Sequence, residues 1–177
     1  MENNIICFTA ETLILTPNGK KEIQTIKPSD EIFSFNHSLG SIDVTTVKKT
    51  ASSYHSQLVN ISFDDESILE MTIDHPIWIV NKGWASFKKN RLYKVFTDMI
   101  DVGDYCLALN KNYEIINKRI NNISFHRGLY KMHIIAGGEL NNFFANDCLV
   151  HDENLIELDL IREGIDFDEM QSTTNTV

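Results

Sequence analysis

The sequence predicts an all-β protein, and three observations predict it. Apolar, β-branched runs of strand length recur along the chain. Gly, Asp, Asn or Pro bounds each run. Only two stretches, 86–95 and 154–163, carry any helical pattern.

Thr12-Leu13-Ile14-Leu15-Thr16 is β-branched and apolar, and Pro17-Asn18-Gly19 supplies a fixed φ followed by a residue tolerant of positive φ. The pattern predicts strand, turn, strand. Alternation through Glu22-Ile23-Gln24-Thr25-Ile26 predicts another strand, which Pro28-Ser29-Asp30 interrupts before Glu31-Ile32-Phe33-Ser34-Phe35. The same rhythm predicts short strands at 57–63, 68–73, 77–80, 105–109 and 129–135. Short strands at this spacing favour a closed or folded β body.

With 177 residues, 42% of them hydrophobic, the chain can bury one substantial core, so one domain is expected. No apolar run approaches the ~20 residues that cross a bilayer, and Met1 to Ile6 lacks a signal-peptide layout. No membrane partner is expected. The net charge of −9, with no basic stripe, argues against a nucleic-acid partner, whose phosphates need Lys and Arg. The three cysteines, Cys7, Cys106 and Cys148, form no CxxC pair, which predicts a reducing, cytoplasmic setting, with Cys106 and Cys148 as core. His37, His55, His126 and His133 show no metal-ligand spacing, so no metal or cofactor is expected and none of the four is assigned to a site. The segment 153–177 is acidic and closes in a polar run too poor in apolar residues to pack, so partial disorder is expected there.

Four sequence blocks carry a resemblance. The first is Cys7-Phe8-Thr9-Ala10-Glu11-Thr12, leading to Lys27-Pro28-Ser29-Asp30-Glu31-Ile32. The second is Met71-Thr72-Ile73-Asp74-His75-Pro76-Ile77-Trp78, with Gly83-Trp84 beyond. The third is Asp101-Val102-Gly103-Asp104. The last runs from Gly128 to Ile134 and from Asn142 to Asp152. Together they resemble the Hedgehog/intein (Hint) domains, closest in pattern to inteins and bacterial intein-like domains. The resemblance implies a horseshoe-like fold of short antiparallel strands with pseudo-twofold halves that bring the two ends together. It divides the chain into a flanking segment 1–6, an autoprocessing domain 7–152 and a tail 153–177.

The resemblance implies that Cys7 is a nucleophile, that Thr72 and His75 serve the bond before it, and that His151 and Asp152 serve a second junction. Chemistry agrees for Cys7, because a thiolate beside its own preceding carbonyl can turn an amide into a thioester. An amide is the more stable of the two, so the site must twist the Ile6–Cys7 bond, hold the oxyanion and protonate the amine. Each strained feature is worth ~1–3 kcal/mol. His75, with a reference pKa of ~6.5, is the expected proton donor, and Thr72 can hydrogen-bond the scissile amide.

Four departures stand out. Ser29 occupies a usual Gly position, Lys131 that of an Asp common in inteins, Asn141 that of a His that helps C-terminal cleavage, and Asp152 that of the terminal Asn. Glu153 follows where splicing needs Ser, Thr or Cys, so the branched intermediate cannot form there. Self-cleavage at Ile6–Cys7 is therefore expected, without a cofactor, resolved by water or an outside thiol or amine, with impaired cleavage after Asp152. The expected partners are the chain's own flanking segments, and the expected state is a monomer. Reference pKa values of ~3.9 for Asp152 and ~6.5 for His151 place C-terminal cleavage at mildly acidic pH. The alternative is a degenerate Hint scaffold serving as a β-rich binding or spacer module. A cysteine hydrolase acting on a separate substrate fits less well.

Overall fold

A computed structural model describes residues 5–89 and 97–153. Among them are fourteen strands: β1 Phe8–Thr9, β2 Leu13–Thr16, β3 Gly19–Glu22, β4 Glu31–Asn36, β5 Ser41–Thr46, β6 Lys49–Phe63, β7 Ile68–Met71, β8 Ile77–Ile79, β9 Gly83–Ser86, β10 Asp98–Met99, β11 Tyr105–Leu109, β12 Ile115–Ala136, β13 Asn142–Ala145 and β14 Cys148–His151. The all-β expectation holds. One sheet runs in the order β1-β7-β6-β12-β11-β8-β14-β13-β2-β3, and β4 and β5 form a separate hairpin. Pairing is antiparallel except between β9 and β10 and at the Ala136–Glu153 bridge.

Two elements differ from the sequence reading. The segment 22–26 ends β3 and then forms a 3₁₀ turn, Ile23–Thr25, rather than a strand. Ile23 and Ile26 are both buried, because three-residue spacing returns side chains to one face of a 3₁₀ turn and mimics strand alternation over so short a window. The second difference is length, for β6 and β12 run 15 and 22 residues. They pair from Phe63 with Ile120 to Lys49 with Ala136, through shifts at Ile120/Asn122 and Arg127/Tyr130. The middle of this ribbon is largely exposed on both faces and mixes polar residues with exposed Tyr54 and Leu129, so hydrophobic alternation marks only its buried ends. The helical stretch 154–163, most of the tail and residues 90–95 of the stretch 86–95 lie outside the described residues; Ser86 itself closes β9.

Backbone conformation explains one departure. Ser29 sits at φ +76°, in the left-handed region that favours glycine, while its N–H donates to the carbonyl of Val47. The turn keeps its shape without Gly, at an energetic cost.

The main core joins Phe8, Ile14, Ile61, Leu69, Met71, Ile77 and Phe143, and Cys106 and Cys148 are fully buried within it. The β4–β5 hairpin is fastened to this body by Asn142. Its Oδ1 accepts the Phe35 N–H at 2.7 Å, and its Nδ2 donates to the carbonyls of Phe35 at 3.0 Å and Leu140 at 2.8 Å. Ser34 Oγ donates to the Asn142 carbonyl at 2.7 Å. Stranding these buried groups costs about 2–4 kcal/mol, so Asn142→Ala is expected to lower the melting temperature by about 5–15 °C. An unchanged melting temperature in calorimetry would mean that the hairpin is held by other contacts.

Candidate functional site

Cys7 has no exposed surface and stands one residue before β1, which pairs with both β7 and β12. The pairing continues past β7, where the Thr72 N–H donates to the Cys7 carbonyl at 3.0 Å. Thr72 Oγ1 then accepts the Cys7 N–H at 3.2 Å. The hydroxyl expected near the scissile amide therefore lies on the nitrogen of that amide.

A tight turn closes after Thr72, with the His75 N–H donating to the Thr72 carbonyl at 3.1 Å. It folds the His75 ring onto Phe8, centroid to centroid 4.1 Å, in a position only 1% exposed. His75 Nε2–H donates to the carbonyl of His151 at 3.0 Å. Nδ1 has no hydrogen-bond partner among the described residues. Burial pushes the His75 pKa down to about 3, against the opposing pull of the His151 and Cys7 backbones. His75 is thus neutral near pH 7 rather than poised there between its charged and neutral forms, as its reference pKa led one to expect.

The residues expected at the second junction lie beside those expected at the first. The β13–β14 hairpin pairs Asn142 with His151. The His151 N–H donates to the Pro76 carbonyl at 3.0 Å, and Nδ1–H donates to the Asp152 carbonyl at 2.7 Å. The Trp84 ring lies edge-on to His151 at 4.9 Å. Asp152 is buried, and its Oδ2 accepts the Gly138 N–H at 2.8 Å. Burial raises its pKa to about 7 against the N–H groups of Gly138 and Gly137, while burial lowers that of His151.

Glu153 joins the two junctions. Its N–H donates to the Ile135 carbonyl at 3.0 Å, and its buried carboxylate Oε2 accepts the Ile6 N–H at 2.9 Å. All five residues expected at the site, Cys7, Thr72, His75, His151 and Asp152, are thereby brought together. Lys131 and Asn141 carry exposed side chains, and Asn141 contributes its backbone carbonyl, which accepts the Asp152 N–H at 3.1 Å. Burial drives the Cys7 thiol pKa well above its usual value, and the charges of Glu153 and Asp74 push the same way.

His55 was not expected here, yet its Nε2 lies 3.2 Å from Cys7 Sγ. Its position on β6 opposite Tyr130 of β12 brings it to the site, a long-range pairing that its polar neighbours do not announce. Among the described residues no group of three or more His, Cys, Asp or Glu side chains could hold a metal ion, and no helix is long and apolar enough to cross a membrane.

Comparisons with known proteins add two findings. The family model described as "Ataxin-1 and HBP1 module (AXH)" matches residues 8–111, beginning just after Cys7 and ending before β13. Among solved structures, the bacterial intein-like domain from Clostridium thermocellum is similar at 21% identity and TM-score 0.69, covering 82% of this chain and 98% of that one. The DnaB intein from Synechocystis is similar at 16% identity and TM-score 0.69, covering 83% and 98%. The gp41-1 intein is similar at 19% identity and TM-score 0.60, also covering 83% and 98%. These likenesses establish the Hint fold. No curated protein sequence matches the chain.

The raised pKa of Asp152 has a stability consequence. Its folded value of about 7 exceeds the ordinary carboxyl value of 3.8, so its stabilising contribution is complete below pH 3.8 and is lost as pH rises through 7. His75 has the opposite sign, its contribution being present above the ordinary imidazole value of 6.5 and lost as pH falls through about 3. Asp152→Asn removes only the first dependence. Intact variant and wild type are expected to melt alike at pH 4, with the variant more stable by about 2–4 kcal/mol at pH 8. Equal stability of the two at pH 8 would mean that Asp152 ionises without burial.

Proposed function

This chain belongs to the AXH family, the Ataxin-1 and HBP1 module, and carries the fold of intein-like domains, and on that premise we propose that it is a self-processing domain cleaving its own Ile6–Cys7 bond through a thioester. The observation that carries this reading is the meeting of Cys7, Thr72 and His75 at the scissile amide, with the second junction within one hydrogen bond of the first. The autoprocessing unit then spans residues 7–152, and its substrates are its own flanking segments.

In this reading Cys7 Sγ attacks the Ile6 carbonyl carbon and the C–N bond breaks toward the Cys7 nitrogen. Thr72 Oγ1 orients that nitrogen, because it already accepts its N–H. His75 supplies the proton through Nδ1, since Nε2–H is committed to the His151 carbonyl. Burial keeps the ring neutral at rest, so Nδ1 takes up a proton from solvent as negative charge develops on the oxygen of the tetrahedral intermediate, and the imidazolium forms where it is used. Water or an outside thiol or amine then releases the acyl segment.

At the other end, the Asp152 carboxylate attacks its own carbonyl to give a cyclic anhydride, and His151, bonded to that carbonyl, assists. The amine of Glu153 can reverse the step, because an anhydride is a reactive acyl donor, so cleavage there is slow and incomplete. The buried pKa values revise the pH optimum expected from reference values. The productive pair shares one proton, which it holds between the lowered pKa of His151 and about pH 7.

One observation favours a second reading, that of a non-cleaving scaffold acting as a β-rich binding or spacer module. The Glu153 carboxylate holds Ile6 and raises the thiol pKa of Cys7, both of which oppose attack.

A strong thiol or hydroxylamine is expected to release the segment before Cys7, with Cys7→Ala abolishing release and His75→Ala slowing it by about 10²–10⁴-fold without unfolding. A folded wild type that stays intact by mass spectrometry would select the scaffold reading. For the second junction, wild-type cleavage followed from pH 4 to 8 is expected to peak near neutrality and fall above pH 7. Asp152→Asn is expected to cleave faster, with a profile governed by His151 alone, and identical profiles would refute the anhydride route.

A further inference from the structure

Resting on the self-cleavage reading, the geometry points to His55 as the base that takes the proton of Cys7. A thiol with no exposed surface, its pKa raised by burial, cannot ionise into solvent and needs an acceptor within hydrogen-bond reach. His55 Nε2, at 3.2 Å from Sγ, meets that requirement. The Ile5 carbonyl, 3.5 Å from the same sulphur, can accept a hydrogen bond but cannot carry the proton away. His75 is committed through Nε2–H to the His151 carbonyl, and Lys131, a cation with an exposed side chain, cannot accept a proton.

The placement suits the role. His55 is half-buried while Cys7 is fully buried, so the imidazole stands between sulphur and solvent. Sulphur is a weak acceptor, and a protonated thiol facing an imidazole nitrogen donates to it, which puts the ring proton of His55 on Nδ1. The charged and titratable groups around this pair are Glu153 and Asp74, whose charges act on Cys7, and Tyr130, Lys131 and His133 on β12, at or near the position opposite His55.

The step balances without an oxidant or reductant. The S–H bond breaks and its proton goes to His55 Nε2, while the sulphur electron pair forms the bond to the Ile6 carbonyl carbon. The C–N electron pair returns to the Cys7 nitrogen, which takes one proton from His75. His55 releases its proton to solvent, and His75, neutral at rest, takes up from solvent at Nδ1 the proton it passes to nitrogen, so the net change is one proton moved from sulphur to nitrogen.

The test uses the full chain and two independent measurements. In thiol-induced release of the segment before Cys7, His55→Gln is expected to be about 10²–10⁴-fold slower than wild type while remaining folded. Free imidazole is expected to restore His55→Ala at least about tenfold, a rescue that a merely structural histidine would not show. Release by His55→Gln at the wild-type rate, or no rescue by imidazole, overturns the proposal. The second measurement is ¹⁵N NMR titration of the His55 ring. A proton on Nδ1 and a titration midpoint that moves on Cys7→Ala support the contact, and a midpoint unaffected by that change overturns it. If wild type releases nothing under thiol, the self-cleavage reading fails, and the titration alone then decides whether His55 holds the Cys7 proton.

Discussion

The site depends on one constraint, the seating of β1 between β7 and β12. Those few backbone hydrogen bonds bring Cys7 to zero exposure, align its amide with Thr72 and place it beneath β6, from which His55 reaches the sulphur. Because β12 continues to Ala136 and bridges Glu153, the same seating draws the second junction onto the first. Cys7, Thr72 and Asp152 each lie one residue beyond a strand end, and a tight turn places His75, so the sheet anchors groups that the proposed chemistry must hold within fractions of an ångström.

Burial is the second consequence, and it decides the protonation states. One desolvated pocket keeps Cys7 a thiol, His75 a neutral imidazole and Asp152 protonated into the neutral range. At rest such a site carries less charge than the residue types suggest. In the proposed cleavage, charge appears only as the reaction begins, close to donors and acceptors already in place. The Glu153 carboxylate on Ile6 is the exception, and it is the feature that sets cleavage and quiet scaffold against each other.

Much of this was legible in the sequence. Strand-length apolar runs and their turn residues gave the fold class, and the blocks around Cys7, His75 and His151 named residues that the fold does bring together. Ser29 shows why the usual glycine matters, since its φ is positive. What could not be read arises from pairing at long range or from burial. His55 becomes a neighbour of Cys7 only through a strand ribbon whose middle is largely exposed on both faces, and the shifts of His75 and Asp152 come from an interior that no local pattern describes. The 3₁₀ turn at Ile23–Thr25 escaped because its spacing looks like alternation over five residues.

The AXH match spans residues 8–111 and so includes Thr72 and His75, but stops short of Cys7, His151 and Asp152. Family membership and fold therefore leave the nucleophile to be tested directly. The chain contains a single Ile–Cys bond, Ile6–Cys7, so ¹³C-carbonyl isoleucine combined with ¹⁵N cysteine labels it uniquely. In the folded protein under thiol, the account predicts loss of the one-bond ¹³C–¹⁵N coupling and appearance of a thioester carbonyl, neither of which occurs in Cys7→Ala, where ¹⁵N alanine labels the bond after Ile6 together with Ile135–Ala136 and both couplings persist. A coupled amide signal that persists unchanged in folded wild type would contradict it.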